Sequence, residues 1–218
     1  MKLDAGATDW QTKPTDRFVL KWIKCNLSAR ITPGLVQVKG LQPWMITLAG
    51  SATAVLAGIV FAAGWGWLAG SLAACAQVLD GVDGQFARLT GRQSKAGAFW
   101  DSVLDRYADG AMVMGLGIYL YRLPFACPAW MLGVLAALAL VGSNLVSYSS
   151  ARGESLGLDL RPPTLASKGT RTSVMILCAW GSLFWAGLPM AALVYLAVHP
   201  NLAVLGRLLR TLRDGRPL

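Results

Sequence analysis

Charge is scarce in this chain. Asp, Glu, Lys and Arg make up 14% of its 218 residues, against about 25% in an ordinary soluble domain, so a fully solvated globular fold is excluded as the simplest reading. Acidic residues are the scarcer sign, 11 against 20 basic ones. Cysteine is sparse as well: Cys25, Cys75, Cys127 and Cys178 stand apart without CxxC spacing, which argues against a zinc site or a disulfide framework. They read as packing residues. No internal repeat or low-complexity tract divides the chain, which reads as one domain. No cleavable leader is expected, because the polar and basic segment 1–44 precedes the first apolar run.

What is present is apolar. Hydrophobic residues account for 55% of the chain and mean hydropathy is +0.49, which predicts an all-α integral membrane protein. Runs near the ~20 residues a spanning helix needs occur at 45–63, 67–86, 98–121, 129–149, 172–188 and 190–205. Six transmembrane helices are therefore expected. The organisation predicted is a cytoplasmic segment 1–44, a transmembrane catalytic domain 45–206 and a basic tail 207–218.

The placement of positive charge sets the topology. Lys and Arg gather in the N-terminal segment, after the second run (Arg88, Arg92, Lys95), after the fourth (Arg152, Arg161, Lys168, Arg171) and in the tail (Arg207, Arg210, Arg213, Arg216), with Arg122 the exception on the opposite side. By the positive-inside rule both termini are cytoplasmic, which requires an even number of spans. The net charge of +9 then speaks for topology and for anionic lipid headgroups, not for nucleic acid. A bacterial inner membrane is the setting this implies.

The segment before the first run has its own organisation. Between Asp16 and Ala29, Phe18, Leu20, Ile23 and Leu27 can share an apolar face while Arg17, Lys21 and Lys24 reach the polar side, with Asp16 as cap and Pro33-Gly34 as stop. This predicts an amphipathic helix lying on the membrane surface.

Against this background, four aspartates stand out: Asp80, Asp83, Asp101 and Asp105, all within apolar runs. An ionised carboxylate at bilayer depth costs roughly 3 kcal/mol, so such a group calls for cationic partners. On a helix, residues three and four apart share a face, which puts Asp80, Asp83, Gly84, Ala87 and Arg88 on one side of the second run and Asp101 and Asp105 on one side of the third. A short connection makes these antiparallel neighbours whose acidic faces meet. Oxygen-only ligands favour Mg²⁺, with Mn²⁺ or Ca²⁺ next, and four carboxylates suit a two-metal phosphoryl-transfer cluster.

The run Asp80-Gly81-Val82-Asp83-Gly84-Gln85-Phe86-Ala87-Arg88, followed after eight residues by Gly97, Asp101 and Asp105, resembles the signature of the CDP-alcohol phosphotransferases at every defining position. The resemblance implies that Asp80, Asp83 and Asp101, with Asp105 contributing, hold two divalent ions. Asp105 would be the general base, and Asp80, Gly84, Ala87, Arg88 and Gly97 would contact the cytidine nucleotide. It further implies a CDP-diacylglycerol donor, release of CMP, and a homodimer. No Ser, Cys or His near the signature demands a covalent intermediate, so direct transfer is expected.

Two positions depart from or extend that signature. Where family members often carry Asn after Pro43, this chain has Trp44, read here as an interface anchor. Asp109 adds another helical turn beside Arg106, to orient Arg106 or the acceptor, or to form a structural ion pair.

The acceptor is read from Arg152, Lys168 and Arg171, which suit an acceptor bearing its own phosphate. Their surroundings, Ser-Ala-Arg-Gly-Glu and Ser-Lys-Gly-Thr-Arg, resemble those of inositol-phosphate-using members, although Lys168 stands where such members tend to have Arg. The other reading is ordinary positive-inside charge. The expected activity is transfer of a phosphatidyl group from CDP-diacylglycerol to a phosphorylated polyol, inositol phosphate ahead of glycerol phosphate. A CDP-inositol donor is the alternative within the family. A divalent-cation carrier is the alternative outside it, and it predicts acids spread through the membrane depth instead of clustered.

Overall fold

Helix is the only regular structure among the described residues, which in the computed structural model are 10–12, 18–124, 127–158, 160 and 166–213. Helix α1 (Phe18–Ile23) runs through a π-helical turn, Lys24–Ser28, into α2 (Ala29–Val36). Six longer helices follow: α3 (Pro43–Ala62), α4 (Gly66–Leu89), α5 (Lys95–Tyr121), α6 (Ala129–Ser155), α7 (Lys168–Gly181) and α8 (Pro189–Arg213). By length and composition α3, α6 and α8 are apolar enough to cross a membrane.

The N-terminal helix differs from expectation in two ways, and its expected cap Asp16, with Arg17, lies outside the described residues. Pro33 does not stop it: the helix absorbs one missing donor, and the chain turns instead at Gly40, whose φ of +85° favours glycine. Lys24, expected on the polar side, is buried. The face carrying Lys24, Ser28 and Thr32 packs on α4, where a side chain at Gly81 would meet Ser28 Oγ at 2.3 Å. Ser28 Oγ donates to the Val78 carbonyl (2.9 Å) and Thr32 Oγ1 to Gln85 Oε1 (2.7 Å). Trp22, Leu27 and Ile31 remain exposed.

The connection between α4 and α5 turns at Gly91 (φ +64°) and ends on Ser94, whose Oγ accepts the Gly97 amide at 3.0 Å. The two helices are nevertheless not packed along one another. Each packs along α3, and α7 packs along the other side of α4. The α3–α5 crossing is a backbone contact, since a Cβ on Gly115 would sit 2.0 Å from the Gly58 carbonyl oxygen. The acidic helices stand apart, with a cleft between them that α3 and α7 also line.

Below the cleft the core joins Phe61 of α3, Ala73 of α4, Leu116 and Leu120 of α5, Ile176 of α7, and Leu193 and Leu196 of α8. Helix α7 has 14 residues, short of the ~20 of a straight span, and starts before the expected run because Ser167 caps it. It ends at Gly181, where Leu188 folds back against the missing side chain, and Pro189 opens α8. Helix α8 continues past the expected boundary at 206: Arg207 is buried and donates to the Val146 carbonyl at 2.6 Å and to Ser149 Oγ.

Candidate active site

Ligand oxygens of Asp80, Asp101 and Asp105 all lie within 4.8 Å of one another. Asp80 comes from the C-terminal half of α4, and Asp101 and Asp105 from successive turns of α5. Asp83 is buried on the wall of the same cleft, its Oδ1 accepting the Gly84 amide at 2.5 Å. Thr47 and Ser51 of α3 close one side, and Lys168 and Thr172 of α7 the other. The floor is apolar, with Ala54, Ala73, Met112 and Met175.

Lys168 stands among the carboxylates. Its Nζ donates to Asp80 Oδ1 at 2.6 Å and to Asp105 Oδ1 at 2.5 Å. The residue lies at the head of α7, ahead of the apolar run 172–188.

The other expected acceptor cations do not line the cleft. Arg171 is buried, donating from Nη2 to Asp109 Oδ2 (3.1 Å) and from Nη1 to the Ala166 carbonyl (2.7 Å). Arg152 is exposed at the end of α6, with Nη1 3.4 Å from Ser155 Oγ. Asp109 thus forms an ion pair, with Arg171, while also lining the cleft; Arg106 reaches Asp105 Oδ2 at 3.7 Å and donates to Ser147 Oγ.

Of the residues expected to meet a nucleotide, Asp80 lines the cleft, whereas Gly84, Ala87, Arg88 and Gly97 do not. Gly84 and Arg88 are one turn apart, so that a Cβ on Gly84 would stand 3.4 Å from Arg88 Nη1. Arg88 Nε donates to the Trp10 carbonyl at 2.7 Å. Ala87 is half-buried beside them, and Gly97 is exposed at the start of α5.

Sequence reasoning missed Gln77. Buried in α4, it donates to the Gly169 carbonyl at 3.0 Å and to Ser173 Oγ at 3.3 Å, pinning the head of α7 beside the acids. The signal was available: a polar residue in an apolar run, one turn before Asp80. Gln85 was missed likewise; it is fully buried, donating to the carbonyls of Lys24 and Gln11, both at 2.9 Å.

An all-oxygen donor set, converging from two helices and already holding an ammonium, fits a hard divalent cation. Fold and site together define an integral membrane protein with an acidic cleft between two of its helices. The CDP-alcohol phosphatidyltransferase family model matches residues 41–205, and the chain belongs to that family.

Its relatives include the phosphatidylinositol phosphate synthase of Streptomyces avermitilis, 34% identical over 65% of this chain and 57% of that protein. The archaetidylinositol phosphate synthase of Pyrococcus horikoshii is 30% identical over 71% and 78%. The chain spans 57% of the length of the Streptomyces relative and 38% of a bifunctional IPC transferase and DIPP synthase from Rubrobacter xylanophilus. Among solved structures, the Mycobacterium tuberculosis phosphatidylinositol phosphate synthase with CDP-DAG bound superposes with a TM-score of 0.70 at 26% identity, covering 84% of this chain and 92% of that one. The same enzyme with manganese and citrate gives 0.72 at 27% identity, covering 84% and 87%.

Proposed function

We propose that this protein transfers a phosphatidyl group from CDP-diacylglycerol to a phosphorylated polyol, inositol phosphate first, and releases CMP. The observation that carries the proposal is the convergence of Asp80, Asp101 and Asp105 in a cleft of a family member. The CDP-DAG held by the mycobacterial structure and the inositol phosphate products named for the relatives support the donor and the acceptor class.

Asp80, Asp83, Asp101 and Asp105 are the residues that would hold two divalent ions, Mg²⁺ with Mn²⁺ as substitute; the manganese in the mycobacterial relative supports this choice. Such ions polarise phosphate oxygens and stabilise the charge that develops on the leaving group. Asp105, the last aspartate of the signature, takes the proton of the acceptor hydroxyl as that oxygen attacks the phosphorus distal to cytidine. The bond to the CMP oxygen breaks as the new ester forms. Gly84, Ala87, Arg88 and Gly97 border the path of the nucleotide, with Arg88 a candidate to meet its phosphate.

Of the three cations considered for the acceptor, Lys168 is the one that faces the cleft. Arg171 acts from behind, through Asp109. In this reading the six long helices all lie in the bilayer, α7 continuing through the turns 182–188, with the N-terminal helix on the membrane surface through Trp22, Leu27 and Ile31. Both termini and the cleft face the cytoplasm, and the protein is a homodimer.

Purified protein incubated with Mg²⁺, labelled CDP-diacylglycerol and a panel of alcohols tests the proposal. CMP release with inositol phosphate and not with free inositol is expected. Absence of release with every acceptor, in parallel with an active relative, overturns it.

A further inference from the structure

We propose that Lys168 is the resident counter-ion of the acidic site and that a divalent metal enters by displacing its ammonium from Asp80 and Asp105. This rests on the metal reading above and adds to it an exchange of one cation for another. The two carboxylate oxygens that Lys168 holds, at 2.6 and 2.5 Å, come from two of the three residues that converge as a ligand set. Oxygen ligands lie about 2.0–2.6 Å from Mg²⁺ or Ca²⁺, so the ammonium stands within coordinating reach of the oxygens a metal must take. Two cations cannot share them, because repulsion at that separation is strong in a half-dry site.

The backbone around Lys168 is fixed while its side chain is free to swing. Ser167 caps α7, and Gln77 holds the carbonyl of the next residue, Gly169, at 3.0 Å. Beyond that anchor the lysine has a flexible four-carbon stem and a side chain 31% exposed. Without metal, Lys168 offsets the mutual repulsion of the carboxylates and keeps α4, α5 and α7 together. With metal, the released ammonium turns toward the mouth of the cleft, where an anionic acceptor would find it. Metal binding therefore precedes acceptor binding, and metal affinity is set partly by the cost of expelling the lysine.

The test is Mn²⁺ affinity, measured by calorimetry or electron paramagnetic resonance on detergent-solubilised protein without nucleotide or acceptor. Lys168→Gln is expected to bind Mn²⁺ roughly tenfold tighter than wild type, having no ammonium to expel. Equal or weaker binding overturns the proposal. If Lys168→Gln does not fold without metal, wild type carries the test: acylation of Lys168 by an amine-reactive probe, read by mass spectrometry, is expected to be slow in chelator and several-fold faster with Mn²⁺. An unchanged or slower rate overturns the exchange. Wild type that binds no Mn²⁺ overturns the metal reading as well, whereas wild type that binds Mn²⁺ with Lys168→Gln binding it no tighter overturns the exchange alone.

Discussion

Arg171 Nη2 lies 3.1 Å from Asp109 Oδ2, an ion pair that joins α7 to α5 one turn beyond Asp105. Arg171 is 3% exposed, so the pair is shielded from water and its partners depend on each other. Removing one member strands the other's charge in a dry setting.

Asp109→Ala is therefore expected to destabilise the protein by about 3 kcal/mol or more, read as a lowered unfolding midpoint in detergent. Arg171→Ala should behave alike, and the double substitution to Leu should recover much of the loss. Midpoints unchanged in both single variants would remove the clamp. A selective rise in acceptor KM with normal stability in Arg171→Ala would return that residue to the acceptor pocket.

Asp80→Asn and Asp101→Asn keep side-chain shape and remove a charged oxygen ligand. CMP release should fall by about a hundredfold or more in each, with Mn²⁺ binding weakened and helical circular dichroism retained. Near-normal turnover in either variant would contradict the ligand set.

The α3–α5 crossing predicts a contrast between two glycines. Gly115→Ala places a methyl group 2.0 Å from the Gly58 carbonyl oxygen, so the helices must separate, costing about 2 kcal/mol. Gly133→Ala on α6 meets nothing within 4 Å and should stay within about 0.5 kcal/mol of wild type. Equal unfolding midpoints would contradict the backbone contact.

Gln77→Leu leaves the Gly169 carbonyl and Ser173 Oγ without the amide that reaches them. A loss of about 1–2 kcal/mol is expected, with Mn²⁺ affinity altered because the head of α7 carries Lys168. Unchanged stability and unchanged affinity together would show that Gln77 does not position that helix end.

The acidic site was legible because its information is local. Helical spacing alone predicts which aspartates share a face, and Asp80, Asp101 and Asp105 converge as that spacing requires. What bridges them was not, because it depends on distant chain: Lys168 lies 88 residues from Asp80 and Arg171 lies 62 from Asp109. Sequence placed both cations in one acceptor pocket, whereas tertiary packing sends one to the cleft and buries the other behind it. The short α4–α5 connection suggested helices packed side by side. Each instead packs along α3, and the cleft lies between them. Pro33-Gly34 reads as a stop, yet packing of Ser28 and Thr32 on α4 carries the helix past it.

If the facing carboxylates of α4 and α5 form a cradle for divalent metal and a pyrophosphate, anomalous scattering from crystals grown with Mn²⁺ and CDP-diacylglycerol will locate the ion there. Manganese is expected between the two helices, bonded to oxygens of Asp80, Asp101 and Asp105, with Lys168 Nζ withdrawn and the diphosphate on the metal. Manganese absent from that cleft in nucleotide-bound crystals, or held elsewhere while Lys168 keeps its bonds to Asp80 and Asp105, would contradict it.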